Sequence, residues 1–236
     1  MQVGRLSENG YILRISDEIN IEANNLTQNL LRMIKKKYGI YLSDIYNTYN
    51  EICVIFKNNC RKKALLNEIT KLDSSPAEGS REIYYIPVHY GHEFSPDLSE
   101  MAENLNLGAD ELVYLHYKKI YKIYFIGFLP CFPYLSDVDE RIRYGRKKTP
   151  RLRVEKGSVG IANDQTGIYT VDSPGGWQII GRTPVDLFVP ESNDPFKIMP
   201  GNYIKFYPVG LKEFYLIRQL SDENRFQIHR ERFSGY

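Results

Sequence analysis

Between Thr149 and Thr183 the chain sets six glycines (Gly157, Gly160, Gly167, Gly175, Gly176 and Gly181) among side chains suited to gripping a small acid or amide. Average glycine usage is about 7%, so this stretch holds more than twice the ordinary density. Interleaved with the glycines are Arg151, Arg153, Gln165, Thr166, Ser173, Gln178, Arg182 and Thr183. An arginine can hold a carboxylate or phosphate through two parallel hydrogen bonds, while Gln, Ser and Thr read a planar amide from its edges. Arg151, Gln165, Thr166, Ser173, Gly175, Gly176, Trp177 and Arg182 therefore form the expected substrate-binding set. Ser173-Pro174-Gly175-Gly176-Trp177 adds a Gly-Gly main chain able to aim N–H groups at an anion or a developing oxyanion. Each feature has a plainer account as well. Glycines bend barrel corners, polar residues face outward from half-buried strands, and a single tryptophan suits a core.

Candidates for catalysis are His116, Gln165 and Ser173. His116 near a helix end can exchange protons, or can simply be stabilised there by the helix dipole. Gly127 to Leu135 packs aromatics and prolines into a loop, so Pro130, Phe132 and Tyr134 are expected to wall an apolar groove, meet a partner, or plug the structure from below. Cys131 within that loop lacks the neighbours of an activated thiol and is expected to be buried and inert. No metal is expected, because Cys53, Cys60, Cys131 and the histidines His89, His92, His116 and His229 lack ligand spacing. The sequence holds no GxxxxGK[ST] phosphate loop, no GxGxxG fingerprint and no GxSxG elbow.

Charge narrows the classes further. The net charge is +2, too mild to imply nucleic acid, which needs a concentrated basic face. Arg141, Arg143, Arg146, Lys147, Lys148, Arg151, Arg153 and Lys156 are basic, but without interleaved stacking aromatics they read as a solvated loop or one that docks an acidic partner. No leader-like apolar run opens the sequence and no stretch is apolar enough to span a membrane, so a cytoplasmic protein with no membrane partner is expected.

The elements that must position these residues fall into two groups. Gly10 to Ile15 and Ile52 to Phe56 read as strands, while Leu26, Leu30, Ile34 and Tyr38, then Leu65, Leu66, Ile69 and Leu72, recur at helical spacing. These predict a small two-layer α/β domain over 1–80, closed by the loop-forming run Asp73 to Ser80. From 81 to 236 the pattern predicts a strand at Ile83 to Val88, a helix entered through Ser95 as N-cap and Pro96 as first helical residue, and a helix from Gly108 to Tyr117. Beyond Lys119, short β-runs broken by prolines predict a β-barrel or sandwich. The fold class is therefore α+β.

These blocks resemble the family of KipI-like kinase inhibitors, 5-oxoprolinase subunits of the PxpB type and allophanate hydrolase subunit 1, the carboxyltransferase-domain proteins. The resemblance rests on Pro96-Asp97-Leu98, Leu115-His116, Gly127-Phe128-Leu129-Pro130, Phe132-Pro133-Tyr134-Leu135, Thr149-Pro150-Arg151, Gly157 to Ala162, Gln165 to Tyr169, and Ser173 through Pro184. Where the family usually has glycine this chain has Ser95 and Cys131, and Asn163-Asp164 replaces a Gly-Gly turn. Asn and Asp tolerate left-handed turns, so a tight hairpin is still expected there.

The resemblance implies a cyclophilin-like barrel over 81–236 and a subunit that hydrolyses 5-oxoproline to glutamate with ATP, the ATP being bound elsewhere in the complex. The implied partners are an allophanate hydrolase subunit 2-type companion and a third oxoprolinase subunit. Two alternatives stay open: a binding module that blocks autophosphorylation of a sensor histidine kinase, and a component of a biotin-dependent, urea-type carboxyltransferase.

Overall fold

The computed structural model describes residues 1–72 and 81–233. The Asp73 to Ser80 run expected to link the domains lies outside the described residues. The chain divides into two compact units, Met1–Gly79 and Ser80–Tyr236.

In the first unit, β1 (Gln2–Arg5), β2 (Gly10–Arg14), α1 (Ile21–Tyr38), β3 (Leu42–Asn47), β4 (Glu51–Phe56) and α2 (Lys62–Ile69) follow in order. The strands form an antiparallel sheet ordered β1-β2-β4-β3. The helical stripe Leu30, Ile34 and Tyr38 is buried with Leu65 and Ile69 in one core with Leu13, Ile52 and Val54. Helix α1 starts earlier than its apolar period suggests, because the Asn20 side chain accepts from the Ala23 N–H at 2.8 Å and caps it.

The second unit contains β5 (Arg81–Val88), α3 (Leu98–Asn104), α4 (Ala109–Tyr117), β6 (Ile120–Ile126), β7 (Pro133–Ser136), β8 (Arg151–Val154), β9 (Ser158–Ala162) and β10 (Gln165–Ile168). These are followed by β11 (Ser173–Gly175), β12 (Gln178–Arg182), β13 (Tyr203–Pro208), α5 (Leu211–Asp222) and β14 (His229–Phe233). Eight strands make one sheet, ordered β12-β9-β10-β7-β6-β13-β5-β14, in which only the β13/β5 pair is parallel. β8 and β11 form a separate two-stranded ribbon.

The barrel expected from the sequence is present as a curled sheet that does not close. β12 at one end bends round to the residue after β5, where His89 and Arg182 exchange two backbone hydrogen bonds of 2.9 Å. That crossing needs a residue without a side chain. A Cβ on Gly181 would stand 2.8 Å from Val88 Cγ1 and 2.9 Å from the His89 carbonyl. The Asn163 turn between β9 and β10 survives without glycine, its φ lying at 58°. Cys131, where the family usually has glycine, likewise has a φ of 62°.

Two sequence expectations change. The helix expected to begin at Pro96 begins at Leu98, with Asp97 at the N-cap position. The reason is that Asp97 turns its own N–H to the Ile179 carbonyl in β12, at 3.1 Å, instead of continuing a helix. Helix α5, which buries Phe214 and Ile217, was hidden among the proline-punctuated β-runs.

Gly181→Ala is expected to destabilise the chain by about 1–3 kcal/mol, as overpacking does. Urea denaturation would measure it, and an unchanged midpoint would show that the β12 crossing has slack.

Candidate functional site

Asp97 carries the densest polar network in the second unit. Its carboxylate, with the side chain 3% exposed, accepts from Lys147 Nζ at 2.9 Å and from Arg151 Nη2 at 2.5 Å through one oxygen. The other oxygen accepts from the Ile179 N–H at 2.6 Å. Burial alone pushes its pKa up, but Arg151, Lys147 and the Ile179 N–H outweigh it and hold the carboxyl below the usual range. One ionised side chain therefore ties the entry to α3, the start of β8 and the backbone of β12 to one point.

Those three segments wall a groove of about 230 Å³, with Phe94 and Pro96 on one side, Arg151, Arg153 and Ser158 on another, and Arg182 closing the third. The groove shares Glu93, Phe94, Arg153, Glu155 and Arg182 with a wider hollow of about 560 Å³ that reaches Phe214 and Arg218. Its arginines are already partnered. Arg182 pairs with Glu155 and lies 5.0 Å over the Phe94 ring, Arg153 pairs with Asp172 at 2.7 Å, and Arg151 shares Asp97 with Lys147. The buried Arg182 Nε has no hydrogen-bond acceptor among the described residues.

Of the substrate-binding set expected from the sequence, Arg151 and Arg182 meet in this groove. Gly175, Gly176, Trp177, Gln165, Thr166 and Ser173 line neither hollow. Trp177 is buried in an aromatic cluster, its ring 5.4 Å from Phe132 and 5.9 Å from Tyr134 at steep angles. Phe132 is 1% exposed and so is an internal residue rather than an open groove wall. Tyr134 is half-buried beside it, and Pro130 is exposed, its carbonyl accepting from Thr170 Oγ1 at 2.5 Å. Gly175 makes room for Tyr169, whose hydroxyl would collide with an added Cβ. The Gly176 carbonyl accepts from the Lys147 N–H at 2.7 Å, so this turn is spent on the chain's own backbone.

None of the three catalytic candidates has the surroundings its chemistry requires. The Ser173 hydroxyl donates to the adjacent Pro174 carbonyl at 3.1 Å rather than to a base. Gln165 is half-buried at the start of β10, paired with Ala162 and Ser136. His116 is fully buried and stacked 4.8 Å from Phe206. Thr166 Oγ1 donates to the Gly160 carbonyl at 3.0 Å, so it accepts from His116 Nε2 at 2.8 Å. Nδ1 must then accept from the Tyr90 hydroxyl at 2.9 Å. Burial lowers the His116 pKa to about 3, leaving a neutral ring that organises the core. Cys131 is buried, with its thiol pushed up to about 11 by burial.

Asp97, Phe94, Arg153 and Glu155 are the site residues that the sequence did not single out as ligands. Asp97 lies 50 residues from Lys147 and 54 from Arg151. A proline-acid pair is an ordinary helix entry, and nothing local announces partners so far away. Among the described residues, no group of three or more His, Cys, Asp or Glu is placed to hold a metal ion. No described helix is long and apolar enough to cross a membrane.

Comparison with known proteins adds to this geometry. Residues 1–198 match the family described as the carboxyltransferase domain, subdomain C and D. The chain belongs to that family. It is 32% identical to the B-type 5-oxoprolinase subunit of Bacillus subtilis over 94% of this chain and 98% of that protein. The crystal structure of TTHA0988 superposes with a TM-score of 0.77 at 32% identity over 85% of this chain, which spans only 40% of TTHA0988. The Kluyveromyces lactis urea carboxylase shares the fold, with a TM-score of 0.78 at 18% identity over 98% of this chain and 24% of that one.

Two outcomes follow from the buried groups. Asp97→Ala strands the Ile179 N–H and two cations, and is expected to cost about 3–5 kcal/mol in urea denaturation. A loss below about 1 kcal/mol would mean that solvent screens the network. For His116, the unfolded chain binds a proton below its ordinary pKa of 6.5 that the folded chain refuses until about 3. Stability therefore falls as pH drops through that window, by up to about 1.4 kcal/mol per pH unit. His116→Gln should flatten that slope, whatever its effect on stability at neutral pH.

Proposed function

We propose that this chain is a subunit of an ATP-dependent 5-oxoprolinase, acting with companion subunits to open 5-oxoproline to glutamate. The observation that carries the reading is the convergence of Arg151, Arg153 and Arg182, from β8 and β12, on a groove of about 230 Å³. A single carboxylate on a compact ring suits a groove of that size and charge. The likeness to a protein named as a 5-oxoprolinase subunit over 94% of the chain supports the same substrate class.

In this reading Arg151 and Arg182 orient the acid, and Phe94 with Pro96 offers an apolar face to the ring. Opening the ring breaks a C–N bond and adds water at a carbonyl, which needs an activated amide or a strong nucleophile. Ser173, Cys131 and His116 are each committed to internal contacts or shielded by burial. The chain therefore binds and orients, while ATP and the activating groups belong to an allophanate hydrolase subunit 2-type companion and a third oxoprolinase subunit.

Formation of ADP and glutamate by the companion subunits is expected to depend on adding this chain. Arg182→Met should lower kcat/KM for 5-oxoproline by about 10- to 100-fold, the worth of one charged hydrogen-bonding group. Turnover without this chain would overturn the reading. An Arg182→Met complex as active as wild type would remove the groove from it.

A further inference from the structure

The β8/β11 ribbon carries a surface that the groove does not use. β8 turns Val154 inward to the aromatic cluster and Arg151 to Asp97, yet between them Leu152 is 92% exposed. A lone exposed leucine is ordinary. This one has exposed Pro150 beside it and Pro174 exposed on the neighbouring strand. Arg146 and Lys148, both exposed, lead into the same strand.

The charges make the distinction. The groove arginines Arg151, Arg153 and Arg182 each have a carboxylate of this chain. Arg146 and Lys148 have no carboxylate partner among the described residues; Arg146 has only the Trp177 ring, 5.9 Å away. Two unneutralised cations beside a protruding apolar side chain call for a complementary surface of opposite sign. The ribbon itself is separate from the eight-stranded sheet, so it can be covered without disturbing the sheet's strand pairing.

We infer that Leu152, flanked by Arg146 and Lys148, docks into an apolar pocket rimmed by Asp and Glu on a companion subunit. The inference rests on the proposed reading of this chain as one subunit of a complex. In TTHA0988 the part matched by this chain is 40% of a longer polypeptide, so there further protein is already attached to the same unit. Here that further protein would come from a separate chain. An apolar anchor with charged flanks gives affinity through the anchor, and orientation and association rate through the charges.

The test is calorimetric titration of the full chain into the purified companion subunit at low and high salt. Leu152→Asp should weaken binding by about tenfold or more while leaving the melting temperature unchanged, as expected for so exposed a position. The double variant Arg146→Glu with Lys148→Glu should also weaken binding and lose most of its salt dependence. If the wild-type chain binds no companion subunit, the subunit reading falls and the docking surface with it. If wild type binds and Leu152→Asp binds equally well, the docking surface alone is overturned. If only the double charge variant binds like wild type, the acidic rim is wrong.

Discussion

The second unit depends on one buried ion cluster. Asp97 is shut away from water, and a carboxylate there is tolerable only because two cations and a backbone N–H neutralise and saturate it. Removing any of these leaves charge or a donor stranded in a poor solvent, so the geometry of the cluster is tightly specified. Because its members come from the α3 entry, the Lys147 to Arg151 segment and β12, the cluster fixes where the groove's walls stand.

That arrangement explains why the polar inventory between Thr149 and Thr183 divides. Residues whose side chains reach the groove, Arg151, Arg153 and Arg182, are held by carboxylates of the chain itself. A ligand acid arriving there competes with, or shares, preorganised partners, which favours orientation over reaction. Thr166, Gly175 and Trp177 turn inward to build the core around His116 and the Phe132 aromatic cluster. The glycine excess thus chiefly serves packing of the protein on itself, as the crowding of Tyr169 at Gly175 and of Val88 at Gly181 shows.

Much of the architecture was legible in the residues. Leu30, Ile34 and Tyr38 on α1, and Ile83 to Val88 on β5, announce themselves by period, since burial of one face imposes that period on any helix or half-buried strand. The inert Cys131 and the left-handed Asn163 followed from local chemistry. Helix α5 did not, because prolines and glycines around it gave the stretch a β-like punctuation.

The sequence by itself determined the α+β class, most of the elements and two of the groove's arginines, Arg151 and Arg182, because these rest on side-chain type and short-range spacing. Only the tertiary structure decided which polar residues share a site. Asp97 finds Lys147 and Arg151 across 50 and 54 residues, and Ile179 across 82. Such pairings are chosen by the curl of the sheet that brings β12 back beside β5, and a single sequence carries no local trace of them.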